Sequence, residues 1–565
     1  MSMLDDGNPH PSAARDDRAA HAVAGVLGLV FLLVQIWTID YGTRINNLEA
    51  VRSYRFSSSM AATKDESFEA RKTAIAGDRS DDEAPDSADD QMLRFKLYSV
   101  NPDEHIAILA LRRIQPERFD FDPDLYQYGG AFLYPLGLLY FGLAKLGIID
   151  VGSLGDLLRS SDGLDRVYIA GRLFVLAVFA FSAWILFRAC RLVADAWSST
   201  WAVGIYLFAP ASIMYSVLIK PHWYLLLWVC AALFFFVRGW ARNRFTAADE
   251  AWLGLFIGLT VASAPLNGIS AMLAGGALAA AAWQRILSPY ALVRVPLIAL
   301  AVAFVTSPYF FLGIGRLSTE VSYTGLGARF SMNPKLVWDY LTNPLPLGFG
   351  VALIVLLIAL GLYRLVARRG PMTWWAASSL GGLVIFYAMI TPGSPEPQMN
   401  FRIMPFFLAI AVLIVVCRPW PYRNAILAMV FALTVLQSLP HKLAYLDEND
   451  PERSTRLRAA RWVAAELPAA STLCPSGGGV NPTFMVAVDL ERFRVARDGH
   501  CDYLINVATT PAKASVGPGD KILAIFKPRL WNDRWPVVYG YINPYIAIIK
   551  PRAAQGSNLR QPSAK

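Results

Sequence analysis

Long apolar runs alternate with short polar junctions along this chain, and the runs have the length of membrane-crossing helices. The first, Ala22 to Ile39, holds about 18 residues, enough as a helix to cross roughly 30 Å of hydrocarbon. Further runs are Gly129–Ile149, Tyr168–Phe187, Trp197–Leu218, Trp223–Val237, Trp252–Ala264, Leu266–Trp283 and Pro296–Ile314. Leu345–Leu362, Trp374–Ile390, Ile403–Cys417 and Ala425–Leu439 complete the series. The shorter runs gain reach from Trp and Tyr at their ends, which sit at headgroup level. The pattern predicts an α-helical polytopic membrane protein with about eleven spans.

Loop charge orients the spans. Arg188 and Arg191, Arg238, Arg242 and Arg244, Arg285 and Arg294, Arg364, Arg368 and Arg369, and Arg418 and Arg423 fall at alternate junctions. The intervening junctions hold little beyond Lys220, Arg316, Arg329, Lys335 and Arg402. By the positive-inside rule the rich set is cytoplasmic, so residues 1–21 lie inside and residues 440–565 outside. Parity then requires that Gly129–Ile149 not span. It is expected to lie along the outer face as a juxtamembrane helix, within a membrane module over residues 22–439. The alternative, a spanning Gly129–Ile149 with the first helix reversed, would leave Asp40–Tyr128 in the cytoplasm.

Composition changes the picture only slightly. Charged residues make up 17% of the 565, below the roughly 25% of soluble domains. The net charge of +9 is dispersed between apolar runs, which suits membrane orientation and not nucleic acid. The five cysteines include no C-x-x-C pair, so zinc ribbons and dithiol redox motifs are excluded. The first run lacks a small-x-small cleavage site and reads as a retained anchor.

Asp40–Tyr128 is a hydrophilic first loop with an acidic tract from Asp78 to Asp86, and it is expected to be disordered. Beyond residue 440 the pattern predicts a small extracytoplasmic α/β domain: a helix over Arg456–Glu466, then short strands at Tyr503–Val507, Lys521–Phe526 and Tyr545–Ile549. Cys474 and Cys501 both fall there, and a disulfide between them suits an oxidising compartment.

Candidate chemistry gathers in the first loop and at the outer helix ends. In Tyr98-Ser99-Val100-Asn101-Pro102-Asp103-Glu104-His105, Asn101 suits a helix N-cap and Pro102 the first helical position. Asp103 and Glu104 would then complement a helix N-terminus. They would also serve as catalytic carboxylates, accepting a proton from an attacking hydroxyl, an assistance worth about 10² to 10⁴ in rate. Asp40, which closes the first helix, is a third candidate catalytic carboxylate. Arg172, Lys220, His222 and Arg402 stand near outer helix ends, where cations either anchor the interface or bind a lipid phosphate. The loop lacks the spaced His/Asp/Glu cluster of a dedicated metal site, so no cofactor is assigned and a divalent metal stays open.

A run of short motifs resembles the GT-C glycosyltransferases, the superfamily that includes protein O-mannosyltransferases and the lipid A aminoarabinose transferase. They are Asp40-Tyr41-Gly42, Asn101-Pro102-Asp103-Glu104-His105, Asp122-Pro123-Asp124-Leu125-Tyr126-Gln127-Tyr128, Gly171-Arg172-Leu173, Thr306-Ser307-Pro308-Tyr309 and Phe401-Arg402-Ile403-Met404-Pro405. Ala459-Ala460-Arg461-Trp462-Val463 and Asp502-Tyr503-Leu504 resemble the tails of such proteins. The resemblance implies a polyprenyl-phosphate-linked sugar as donor, an extracytoplasmic acceptor and a bacterial inner-membrane location. It implies Asp103 as general base with Glu104 positioning it, and Arg172, Lys220 and Arg402 around the donor phosphate. It also implies horizontal helices where Gly129–Ile149 lies. Two departures stand out. Lys220-Pro221-His222 occupies the place of the family's Thr-Pro-Asp, and the lysine of a following Lys-Tyr-Asn-Gly pattern is missing from Ala264-Pro265-Leu266-Asn267-Gly268. A transporter would show mid-span charges and an internal repeat, and neither stands out. A silent scaffold with the same fold is the other alternative.

Overall fold

The computed structural model describes residues 11–43, 104–150, 161–265, 286–313, 344–366, 404–417, 419–476, 486–496, 501–508, 519–529 and 542–552, with isolated positions at 51, 54, 89, 92, 95, 96, 99, 338, 342 and 517. The expected spans 266–283 and 374–390, the acidic tract 78–86, Asp103 and Arg402 lie outside the described residues. The chain divides into two compact units. The first comprises residues 1–40, 103–151 and 165–442; the second comprises 41–102, 152–164 and 443–565.

The first unit is helical, residues 161–164 and 443–448 at the ends of two of its helices being counted with the second. Its helices are α1 (Pro11–Ile36), α2 (Glu104–Arg113), α3 (Gly130–Lys145), α4 (Ser161–Arg191), α5 (Ala196–Phe208), α6 (Pro210–Tyr215), α7 (Pro221–Tyr224) and α8 (Leu226–Ala241). They continue with α9 (Ala247–Ser263), α10 (Ala291–Thr306), α11 (Pro308–Leu312), α12 (Pro344–Phe349), α13 (Val351–Val366), α14 (Met404–Val416) and α15 (Arg423–Glu448). Among the described residues four segments are long and apolar enough to cross a membrane: Asp16–Ile36, Gly163–Arg191, Pro221–Ala241 and Arg423–Glu448. The chain is therefore an integral membrane protein. Ala291–Thr306, Val351–Tyr363 and Phe406–Val416 are apolar but shorter.

Three expected spans are broken, and each break has a local cause. Trp197–Leu218 divides at Ala209, whose ψ of 142° is extended because Pro210 follows it and starts α6. Pro296–Ile314 divides in the same way at Ser307, ahead of Pro308. Leu345–Leu362 divides at Gly350, which takes a φ of 92°. Helix α3 has 16 residues, a rise of about 24 Å, less than the hydrocarbon thickness.

Small residues bring α9 and α10 close. A Cβ on Gly254 would meet Ile298 at 2.8 Å, and one on Gly258 would meet the Ala299 carbonyl oxygen at 2.6 Å. This Gly-x-x-x-Gly spacing lets two backbones approach where lipid offers no hydrophobic drive for helix pairing. The basic junctions are stapled by acids. Asp195 caps α5 by accepting from the Ser198 amide and also receives the Arg423 guanidinium. Asp249 closes a capping box with Thr246 at the start of α9 and pairs with Arg238.

The second unit holds α16 (Thr455–Glu466) and a mixed five-stranded sheet in the order β2-β1-β3-β5-β4. The strands are β1 (Thr472–Ser476), β2 (Arg494–Val495), β3 (Tyr503–Ala508), β4 (Lys521–Phe526) and β5 (Tyr545–Lys550). β1 runs parallel to β2 and β3, whereas β5 is antiparallel to β3 and β4. Ile505, Val507, Ile546 and Ile548 pack in one core with Ala459 and Val463 of α16. Val51, Met92 and Phe95 are buried in that same core. The expectation of disorder is thus corrected at the described residues of Asp40–Tyr128. Apolar side chains from the first loop are core residues of this unit, and residues 104–128 carry a helix and turns of the first unit. Cys474 on β1 and Cys501 ahead of β3 form a disulfide, with Cα atoms 5.8 Å apart.

Candidate functional site

In the first unit, four separate segments meet around one buried carboxylate. Glu104 opens α2, so its charge complements the helix N-terminus. It also receives the side chain of Arg172 from α4 in fork geometry: Nε donates to Oε1 at 3.0 Å and Nη2 to Oε2 at 2.6 Å. The third nitrogen, Nη1, donates to the Ile39 carbonyl at 2.9 Å, in the turn that ends the first helix. The Ile219 amide donates to Glu104 Oε1 at 3.3 Å. Both side chains of the pair are 0% exposed. Charges withdrawn so fully from water are tolerated only when paired and hydrogen-bonded in this way. The Tyr168 ring lies 5.6 Å from the guanidinium carbon, adding a cation–π contact. Burial, and after it the Glu104 charge, pushes the Tyr140 phenol well above its ordinary range.

The groups held by this pair immediately precede the candidate site residues. Asp40 follows Ile39 and is half-buried. Lys220 follows Ile219, is 2% exposed, and stands at the extended position ahead of Pro221, after a tight turn in which its amide donates to the Leu218 carbonyl. His222, on the first turn of α7, is buried with its ring perpendicular to Tyr128 at 6.4 Å. The structure therefore ties together the chain positions of Asp40, Glu104, Arg172 and Lys220. Arg172, expected among the phosphate ligands, has Nε, Nη1 and Nη2 bonded to Glu104 and Ile39. Cys474 and Cys501 belong to the second unit. Among the described residues no group of three or more His, Cys, Asp or Glu is placed to hold a metal ion.

A second buried polar cluster carries no motif in the sequence. Lys442 donates to Gln35 Oε1 at 2.8 Å and to the Thr38 hydroxyl. Gln35 in turn donates to the Ile213 carbonyl at 3.2 Å and to Ser216 Oγ at 3.1 Å. The last apolar run ends at Leu439 before Pro440, which hid the fact that α15 continues to Glu448 with Lys442 inside it. Gln35 within the first apolar run was the one available signal.

No family model and no curated protein sequence matches this chain. Solved structures do. The chain is similar to ArnT from Cupriavidus metallidurans in the apo state at 12% identity and a TM-score of 0.38, covering 75% of this chain and 88% of that one. The same protein bound to undecaprenyl phosphate gives 12% identity and 0.39, over 77% and 90%. The archaeal oligosaccharyltransferase AglB from Archaeoglobus fulgidus, in complex with an inhibitory peptide and a dolichol-phosphate, gives 13% and 0.33 over 63% and 55%.

Proposed function

We propose that this protein is a membrane glycosyltransferase that moves a sugar from a polyprenyl-phosphate donor to an extracytoplasmic acceptor. The observation that carries the reading is the meeting of the Asp40 turn, the Glu104 helix start and the Lys220-Pro221-His222 junction around one buried ion pair. Loop charge supports an outer-side position for these helix ends, and the ordered series of sequence motifs supports the same chemistry.

In this reading Asp103 accepts the proton of the acceptor hydroxyl as its oxygen bonds to the anomeric carbon. The bond from that carbon to the phosphate oxygen breaks in the same displacement, inverting the centre. Lys220, His222 and Arg402 stabilise the charge that builds on the departing polyprenyl phosphate. Asp40, the residue after the Ile39 carbonyl that Arg172 holds, is a further catalytic carboxylate in this reading. The reading places the second unit, with its disulfide, in the extracytoplasmic space of a bacterial inner membrane.

The test is incubation of membranes carrying the full chain with radiolabelled polyprenyl-phosphate sugars. Label appearing in a new product supports a transferase. Label crossing the bilayer unchanged would point to a transporter, and label neither moved nor transferred to a silent scaffold.

A further inference from the structure

We infer that the Glu104–Arg172 pair is a positioning clamp for the site, and that Arg172 does not bind the donor phosphate itself. The inference rests on the proposed function only for what the clamp positions; the clamp is argued from the geometry of the first unit.

Three observations carry it. The guanidinium edge formed by Nε and Nη2 is closed by the carboxylate, with contacts of 3.0 and 2.6 Å. Its remaining nitrogen holds the Ile39 carbonyl, so the plane of the side chain is defined by acceptors on two sides. The carboxylate reaches a further segment through the Ile219 amide. The pair thus fixes the backbone one residue before Asp40 and one residue before Lys220, from helices 68 positions apart in sequence. A net-neutral pair with no exposed surface also offers an incoming phosphate little attraction, because Glu104 repels what Arg172 attracts.

Lysine and arginine separate the two roles. A phosphate ligand needs a cation, and lysine is a competent one. A clamp needs a planar fork that reaches several acceptors at once, which lysine lacks. The sign of the effect at Glu104 separates them again. Removing its negative charge strengthens anion binding if Arg172 touches the phosphate, and weakens it if the pair only holds the frame.

The experiment uses the full chain in detergent, as wild type, Glu104→Gln and Arg172→Lys, with two readouts. The first is affinity for undecaprenyl phosphate by native mass spectrometry. The second, in ligand-free protein, is the rate at which an amine-reactive reagent labels buried Lys220, with exposed Lys145 as internal reference. We expect both variants to bind about tenfold or more weakly, since a misplacement near 1 Å costs on the order of 10²-fold in a reaction. Both should label Lys220 several-fold faster with Lys145 unchanged. Tighter binding by Glu104→Gln together with wild-type binding by Arg172→Lys would overturn the clamp, as would wild-type labelling of Lys220 in both. If wild type itself does not bind undecaprenyl phosphate, the functional reading fails and Lys220 labelling alone decides the clamp. Should Arg172→Lys not fold, the shape-preserving Glu104→Gln decides by the sign of its effect.

Discussion

Gly171 faces the Tyr140 hydroxyl so closely that a Cβ added to it would lie 2.3 Å from that oxygen, and 2.7 Å from Ile219 Cδ1. The hydroxyl is not free to yield, since it donates to the Val167 carbonyl at 3.1 Å. Gly171 precedes Arg172, so any outward shift of this turn moves the guanidinium from its acceptors. Gly171→Ala is therefore expected to destabilise the protein by about 1–3 kcal/mol, the usual range for overpacking. Gly142→Ala, with nothing within 4 Å of its added Cβ, should be neutral or stabilising. Thermal unfolding in detergent compares the two; equal midpoints would contradict the close packing.

The α9–α10 contact yields a second prediction. Gly258→Leu drives a side chain into the Ala299 carbonyl and Val302, and the helices must separate along their contact. A loss of about 1–3 kcal/mol is expected. Gly361→Leu on α13, where an added Cβ meets nothing, serves as control. If both variants unfold together with wild type, the two helices do not pack as described.

Acid sensitivity has a definite sign at Asp195. Burial pushes its carboxyl up, but hydrogen bonds from Ser198 and the Arg423 guanidinium outweigh that and bring it to about 2, against an ordinary 3.8. A depressed carboxylate contributes stability that is fully present above its unfolded value and is lost as pH falls from about 4 towards about 2. The carboxylate is 43% exposed, so solvent screening keeps the contribution modest. Wild type should lose more thermal stability than Asp195→Asn between pH 5 and pH 3. Parallel pH profiles would show that the staple contributes nothing.

The disulfide predicts a thiol count. Denatured, unreduced protein should expose the thiols of Cys190, Cys230 and Cys417 only, with Cys474 and Cys501 labelling after reduction. The 27-residue separation corresponds to roughly 3.5 kcal/mol of stabilisation in the chain-entropy description. Cys501→Ser should therefore lower the unfolding midpoint of the second unit. Labelling of all the cysteines before reduction would contradict the bond.

Which parts of this structure were legible in the sequence follows from the range of the interactions. Apolar runs marked α1, α4, α8 and α15 because hydropathy is a local property. The breaks at Pro210, Pro308 and Gly350 were also written locally, but an average over a window passes through a single proline or glycine. Arg172 and Glu104 read from the sequence as a phosphate ligand and a catalytic acid, each by itself. Their pairing is invisible there, because residues 68 positions apart carry no mutual signal in one sequence. Val51, Met92 and Phe95 were lost for a related reason: isolated apolar residues in a hydrophilic loop look like solvated chain until the second unit's sheet is in place to receive them. Lys442 is hidden because the apolar run stops at Leu439, ahead of Pro440, whereas the helix continues through that proline.

The most direct test of the central claim uses purified full chain in lipid nanodiscs with a polyprenyl-phosphate sugar, following release of free polyprenyl phosphate in the presence of an acceptor extract. The account predicts turnover by wild type and a fall of about 10² to 10⁴ in Asp103→Asn. Release at the wild-type rate by Asp103→Asn would contradict the assigned base, and no release by wild type would contradict the transferase itself.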